Sequence, residues 1–227
     1  MNDAPVLAID GPSGSGKGTV SRRLAQRLGW HLLDSGALYR LVALSGELVG
    51  LAADDVAGHA ALARRMQVVF GTDSAGGERI DLAGREVTGQ VRAETTGQGA
   101  SRVAAWPAVR DALMDRQRAF AIAPGLVADG RDMGTVVFPS AALKIFLTAS
   151  AEERALRRYK QLKDKDSGVS LAALSREIAE RDLRDSTRGI APLRPASDAF
   201  VIDSTGVPVE AIVERVIELG RTRALWR

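Results

Sequence analysis

Gly11-Pro-Ser-Gly-Ser-Gly-Lys-Gly-Thr19 is the stretch of this chain whose residue types and spacing specify chemistry most directly. Glycines at this density let successive backbone N–H groups turn inward, where they cradle phosphate oxygens. The Gly-x4-Gly-Lys frame sets the Lys17 ammonium where it reaches the terminal phosphates of a nucleotide. A helix opening directly after the loop adds the positive end of its dipole. The position after the lysine is Gly18, where many such loops carry the hydroxyl that binds magnesium. Thr19 supplies the first hydroxyl instead, so a magnesium ion is expected to be held largely through water. The expected triphosphate-binding set is Gly11, Pro12, Ser13, Gly14, Ser15, Gly16, Lys17, Gly18 and Thr19. No Asn-Lys-x-Asp guanine-reading motif occurs, which argues against a GTP switch.

A phosphoryl donor needs an acceptor, and anionic acceptors favour arginine, whose planar fork grips phosphate bidentately. Of 31 basic residues only Lys17, Lys144, Lys160, Lys163 and Lys165 are lysine, leaving 26 arginines. A GC-rich genome produces the same bias, so individual positions must carry the argument. Arg40 ends Leu33-Asp-Ser-Gly-Ala-Leu-Tyr-Arg40, where a strand-like run enters a helix with Ser35 as its expected N-cap. Arg131 and Asp132 stand just past another strand-like run. Arg181, Asp185 and Arg188 are spaced i, i+4 and i+7, one helical face if the helix persists that far; an ordinary ion-paired surface has the same spacing. Asp129 ends a buried strand beside the loop and is the first candidate for the aspartate attending the metal, with Asp34 second. A nucleotide phosphate is already anionic, so no strong general base is required. The chain has no cysteine, and its two histidines, His31 and His59, are too few for a zinc cage. His31 reads as structural, and Trp30, Trp106 and Trp226 form no base-stacking stripe.

The elements that must position these groups follow from apolar runs bounded by turn residues. Strands are expected at Val6–Asp10, His31–Asp34, Leu126–Asp129, Leu143–Thr148 and Ala199–Asp203, and helices at about 17–28, 36–50, 104–121, 150–163, 170–186 and 207–224. Short apolar strands alternating with helices imply a parallel sheet covered on both faces. Four of the strands end in aspartate, near the edge where open α/β sheets bind ligands. For Asp10 and Asp203 a capping role is the better expectation. From Met66 to about Arg92 the rhythm breaks: alternating residues flank the glycine-rich run Gly71–Gly77, which reads as antiparallel strands in an insertion of about 30–40 residues. At 45% hydrophobic, 26% charged and a net charge of +3, the chain is an ordinary globular composition without the basic excess of a generic nucleic-acid binder. No apolar run approaches a membrane span and the first residues lack a signal-peptide pattern, so a cytoplasmic protein with no membrane or nucleic-acid partner is expected.

Four motifs then converge on one family. Asp34-Ser-Gly-Ala-Leu-Tyr-Arg40, Asp129-Gly-Arg-Asp-Met-Gly-Thr-Val-Val-Phe-Pro139, Ile178-Ala-Glu-Arg-Asp-Leu-Arg-Asp185 and Arg188-Gly-Ile-Ala-Pro-Leu193 resemble the signatures of the bacterial cytidylate kinases, within the P-loop nucleoside-monophosphate kinases. The resemblance covers nearly the whole chain, insertion included. It implies an α/β P-loop kinase fold: a five-stranded parallel sheet flanked by helices, a small antiparallel β insertion on the acceptor side, and a helical lid. One domain over residues 1–227 is expected, with the insertion at about 60–100 and the lid at about 154–170. The implied reaction is transfer of the ATP γ-phosphate to CMP or dCMP with Mg2+ as cofactor, held through water near Thr19 and Asp129, in a monomer.

Carried onto this sequence, the family pattern puts Arg40, Arg131 and Arg188 on the acceptor phosphate with Ser35 nearby. It puts Arg181 and Asp185 on the sugar, and Ser101, Arg110 and Asp132 on the cytosine ring. Arg154, Arg157 and Arg158 open the implied lid, where arginine neutralises charge on the transferring phosphate. Arg157 is carried as catalytic, with Lys17, Asp129, Arg131 and Arg188, and Arg158 as ATP-binding; the residues themselves leave the choice among the three arginines open. Two other readings are a kinase of UMP or AMP and a regulatory P-loop switch. The second predicts a coherent basic surface or an aromatic nucleic-acid motif, and neither is present.

Overall fold

The structure, a computed structural model, describes residues 4–75, 77–163 and 170–226. In chain order its elements begin β1 (Val6–Asp10), α1 (Lys17–Leu28), β2 (His31–Asp34), α2 (Ser35–Leu48), α3 (Val56–Arg65), β3 (Val68–Thr72), β4 (Glu78–Leu82) and β5 (Arg85–Glu86). There follow α4 (Thr88–Arg92), α5 (Glu94–Val103), α6 (Pro107–Arg118), β6 (Leu126–Gly130), a π-turn (Met133–Val137), β7 (Leu143–Thr148), α7 (Ala151–Lys163), α8 (Leu171–Thr187), β8 (Phe200–Asp203) and α9 (Val209–Thr222). The chain forms two compact units, Met1–Asp34 with Gln117–Arg227, and Ser35–Arg116.

The first unit is built on a parallel sheet of order β2-β6-β1-β7-β8. β1 and β6 are buried at every position, as only strands covered on both faces can be. Leu7, Ile9, Val127, Leu143, Ile145 and Leu147 meet Val20 and Leu24 of α1 and Ile212, Val213, Val216 and Ile217 of α9 in one core. Each such fully buried side chain stabilises the fold by about 1.5–3 kcal/mol relative to exposure. Register sets the strand ends side by side: Asp34 pairs with Asp129, Asp10 with Gly130, and Thr148 with Asp203. The segments that follow β1, β6, β7 and β8 therefore leave the sheet at one carboxyl edge, the edge where open α/β sheets take ligands.

The second unit carries the expected antiparallel strands, and a third that the sequence reading did not separate. β3, β4 and β5 form a sheet in that order, with Phe70 opposite the fully buried Ile80. The second hairpin turns on Ala83 and Gly84, both left-handed at φ 50 and 81, the twist that a two-residue connection demands. The helix expected over 104–121 is α6, starting at Pro107, with a separate α5 before it. Proline suits the first turn of a helix and breaks an interior, so the two do not merge. Helix α3 was not expected; Asp55 caps it by accepting from Gly58 N at 2.8 Å. His59 on α3 is a structural histidine, 4% exposed, its Nδ1 2.7 Å from Asp55 O and its ring edge-on to Trp106.

Candidate active site

The phosphate loop leaves β1 at Gly11, where φ is 154° and an added Cβ would sit 2.0 Å from Leu147 O of the neighbouring strand. Only glycine admits this close approach, which turns the loop over the end of the sheet. Lys17 opens α1, is 7% exposed, and donates to Pro12 O at 3.0 Å. Burial, reinforced by the nearby Arg131 guanidinium and opposed by Asp129, lowers its ammonium from 10.5 to about 7. An ammonium so easily discharged is one that an arriving anion would hold charged. The Asp129 carboxylate lies 3.3 Å from where a Cβ on Gly18 would be, so the glycine after Lys17 leaves room for it against the start of α1. Thr19, one residue on, is exposed. Among the described residues no cluster of three or more His, Cys, Asp or Glu exists that could cage a metal ion.

Arg131 and Asp132 follow β6 directly. Arg131 Nε donates to Asp185 Oδ2 at 3.0 Å, which brings the end of β6 to α8. Burial works against the Asp185 charge, but Arg131, Arg181 and Arg188 outweigh it and lower its pKa. Arg188 lies one residue beyond α8, so the shared helical face extends to Arg181 and Asp185 but not to Arg188. Its backbone has turned to ψ 136°, its Nε donates to Ala191 O at 2.5 Å, and its Nη2 stands 3.8 Å from Asp132 Oδ1. Both of those side chains are over nine-tenths buried, at 7% and 4% exposure. The structure thus gathers Lys17, Asp129, Arg131, Asp132, Arg181, Asp185 and Arg188 at the carboxyl edge of the first unit.

The arginines of α7 have distinct surroundings. Arg154 is 5% exposed; it donates to Ala149 O at 3.0 Å, to Ser13 O of the phosphate loop at 3.2 Å, and to Asp182 of α8 at 2.6 Å. Arg157 donates to Glu153 at 2.8 Å, to Ser204 Oγ at 3.1 Å and to Ser204 O at 2.6 Å, and its Nη1 lies 3.4 Å from where a Cβ on Gly16 would be. Arg158 is half-exposed, with Gln161 at 3.4 Å. Residues 164–169 of the expected lid lie outside the described residues.

Ser204 escaped the sequence reading. It is fully buried just past β8, and its hydroxyl donates to Ser15 O at 2.9 Å while accepting from Arg157. The available signal was its position after a strand end on the ligand-binding edge. Of the two aspartates expected as caps, Asp203 caps locally, accepting from Thr205 N at 2.9 Å. Asp10 accepts instead from Met133 N and Gly134 N, both at 2.8 Å and far along the chain. Burial pushes Asp10 up to about 7 against those two bonds, with Asp132 and Asp129 adding to the rise.

In the second unit, Ser35 is itself the first residue of α2, not the residue before it, because β2 runs straight into the helix. Arg40 is held by Val91 O at 2.9 Å and Ala93 O at 2.8 Å, and its guanidinium fills the space over Gly97. Arg110 is 2% exposed, donates to Ala104 O at 3.4 Å, and lies over the Tyr39 ring at 5.9 Å. Ser101 is buried, and among the described residues its hydroxyl finds no hydrogen-bond partner. Buried hydroxyls are normally satisfied, so this one fits a group that a ligand completes.

A parallel sheet whose first strand passes through a lysine-bearing glycine loop into a helix defines the P-loop nucleotide-binding class. A solved structure of an uncharacterized protein from Eubacterium ventriosum ATCC 27560 shares this fold, at a TM-score of 0.52 and 13% identity over 97% of this chain and 99% of that one. The family model for cytidylate kinase matches residues 7–222. A cytidylate kinase of Pseudomonas aeruginosa strain LESB58 is 61% identical over 96% of each chain, and one of Pseudomonas syringae pv. tomato is 59% identical over 94% of each. The chain belongs to the cytidylate kinase family. Among the described residues no helix is long and apolar enough to cross a membrane.

Proposed function

We propose that this protein transfers the γ-phosphoryl group of ATP to CMP and dCMP, producing ADP with CDP or dCDP. The observation that carries the reading is the edge of the first unit. Beside a triphosphate loop stand Arg131, Arg181 and Arg188, a second set of phosphate-suited cations, in a chain 61% identical to a cytidylate kinase. An oxygen of the acceptor phosphate attacks the γ-phosphorus, the bond to the β–γ bridging oxygen breaks, and ADP leaves. The attacking oxygen is already anionic, so catalysis is positioning and charge neutralisation.

Lys17 and the backbone N–H groups of the Gly11–Thr19 loop, Pro12 excepted, hold the triphosphate, with Arg157 and Arg158 contributing charge from α7. Arg40, Arg131 and Arg188 take the acceptor phosphate near Ser35, Arg181 and Asp185 the sugar, and Ser101, Arg110 and Asp132 the cytosine ring. The orphaned Ser101 hydroxyl and the buried Asp132–Arg188 pair support the acceptor assignments. Asp129 and Thr19 suit a magnesium ion carried by the phosphates and held through water, where it would neutralise developing charge. The single-domain reading, with residues of about 60–100 serving the acceptor and about 154–170 closing as a lid, belongs to the same proposal, as do a monomeric state and cytoplasmic residence.

The test is an ADP-release assay with Mg-ATP and, in turn, CMP, dCMP, UMP, AMP or no acceptor. Turnover strongly dependent on CMP or dCMP is expected. Equal turnover without acceptor, or a preference for UMP or AMP, refutes the proposal.

A further inference from the structure

The phosphate loop contains a tight turn whose central peptide its own sequence leaves undecided. Ser15 N donates to Pro12 O at 3.5 Å, closing the four residues Pro12–Ser15, and Gly14, third of the four, has φ 78°. A positive φ at that position marks a type II turn. The commoner type I turn differs by inversion of the central peptide, here Ser13–Gly14, and glycine takes either sign of φ about as readily. In a planar trans peptide the C=O and N–H point opposite ways. The direction of the Ser13 carbonyl therefore decides that of the Gly14 N–H, and a phosphate cradle works through its N–H groups.

Arg154 supplies the missing choice. Its Nη1 donates to Ser13 O at 3.2 Å, its Nε to Ala149 O at 3.0 Å and its Nη2 to Asp182 Oδ2 at 2.6 Å. The acceptors come from the loop, from the residue after β7 and from α8, so this planar fork, 5% exposed, is fixed on three sides. Gly14 lies against the same residue: a Cβ there would sit 3.1 Å from Arg154 Cβ and 3.4 Å from Arg154 O. Among the described residues the Gly14 N–H donates to no acceptor. The next glycine repeats the arrangement. Gly16 has φ 89°, and the carbonyl of the peptide before it, Ser15 O, is held by the Ser204 hydroxyl at 2.9 Å.

We propose that Arg154 is a positioning residue of the donor site: by holding the Ser13 carbonyl on α7, it selects the turn in which the Gly14 N–H points at the triphosphate. Arg154 serves the phosphates through that peptide and not by touching them, so the inference rests on the triphosphate reading of the loop given above.

The experiment follows the loop amides by NMR in the wild type and Arg154→Met, with inorganic tripolyphosphate, a probe that has neither base nor sugar. Dissociation constants for tripolyphosphate and CMP are measured alongside. In the wild type the Gly14, Gly18 and Thr19 amide resonances are expected to move. In Arg154→Met at saturation, Gly18 and Thr19 should still move while the Gly14 response is lost. Affinity for tripolyphosphate should fall by about ten-fold or more, and that for CMP should stay within about two-fold. A Gly14 response that survives at saturation shows that Arg154 supplies charge alone and overturns the proposal. Loss of all three responses, or an equal loss of CMP affinity, marks general disruption and overturns it too. If no loop amide responds in the wild type, the triphosphate reading fails and takes the proposal with it. If Gly14 alone is silent there, that reading stands and the positioning role falls. A second measurement needs no variant to fold: the Arg154 guanidinium resonances of the wild type are expected to shift far less on adding tripolyphosphate than the Gly14 amide. A larger shift would make Arg154 a direct phosphate contact and overturn the proposal.

Discussion

Raising the pH from 6 to 8 should change how many protons the protein takes up when it binds ATP, and Lys17 is the reason. In the free protein burial and the Arg131 guanidinium lower this ammonium to about 7. A bound triphosphate sets several negative charges against it and restores an ordinary lysine pKa. With a free-state value near 7, Lys17 is about nine-tenths charged at pH 6, about half at pH 7 and about one-tenth at pH 8. Binding therefore takes up about 0.1, 0.5 and 0.9 proton at those three pH values. The sign follows: above pH 7 the complex holds more protons than the free protein, so affinity falls as pH rises, approaching about ten-fold, or about 1.4 kcal/mol, per unit. The assay is calorimetric titration with a non-hydrolysable Mg-ATP analogue in buffers of different ionisation enthalpy, where the dependence of heat on buffer gives the proton count. Lys17→Arg keeps a cation that does not titrate in this range and should abolish the rise. Arg131→Ala removes the repelling charge and should move the rise to higher pH. Uptake that does not grow with pH, or that persists in Lys17→Arg, refutes the reasoning.

Cytosine presents an N4 donor beside an N3 acceptor and uracil the reverse, so two mismatches of roughly 1–3 kcal/mol each should depress kcat/KM for UMP about a hundred-fold or more relative to CMP. Asp132→Ala should narrow that gap mainly by losing CMP; equal wild-type efficiency with both acceptors would defeat the base-reading assignment. Ser204→Ala strips the Ser15 carbonyl and Arg157 of one hydrogen bond each inside a fully buried site, and should lower stability by about 1–3 kcal/mol in denaturant unfolding. The same variant should raise KM for ATP while leaving that for CMP nearly unchanged; a shift confined to CMP would show that Ser204 does not serve the donor side.

What the sequence made legible was whatever depends on local pattern. β1 and β7 fall where apolar runs end in turn residues, and the phosphate loop has a spacing that few other structures need. Helix α6 starts later than expected because Pro107 outweighs the apolar periodicity around it, and β5 is too short, at two residues, to leave an alternating trace. The roles of side chains were legible only where a family pattern supplied them. Ser204 is an unremarkable serine until its strand is set beside the phosphate loop. Asp10 was expected to cap, and it does, but its partners lie 123 and 124 residues away, a distance that no local rule spans. Arg154, Arg157 and Arg158 could not be told apart by spacing, whereas packing separates them at once: Arg154 braces Ser13 to Asp182, and Arg157 grips Ser204.

The carboxylates of the first unit explain how so many cations share one edge before any substrate arrives. Burial first, and repulsion from Arg131 and Arg181 after it, lower the Lys17 ammonium, so this edge would be costlier still without its negative charges. Asp185 against Arg131, Asp132 beside Arg188 and Asp182 against Arg154 each hold a guanidinium in place. A guanidinium has five N–H donors, so an arginine already oriented by a carboxylate still has donors to offer. Arriving phosphates need not displace these partners; they add negative charge to groups already aimed, and the ordering of long arginine side chains has been met during folding rather than during binding. The same logic makes removal of Asp185 more damaging than the loss of a sugar contact alone. Without it Arg131 loses its anchor, and Lys17 loses a nearby negative charge that favours its ammonium. Acid and base pairing at this edge is therefore part of how the cations are kept ready for phosphate, and not surplus surface charge.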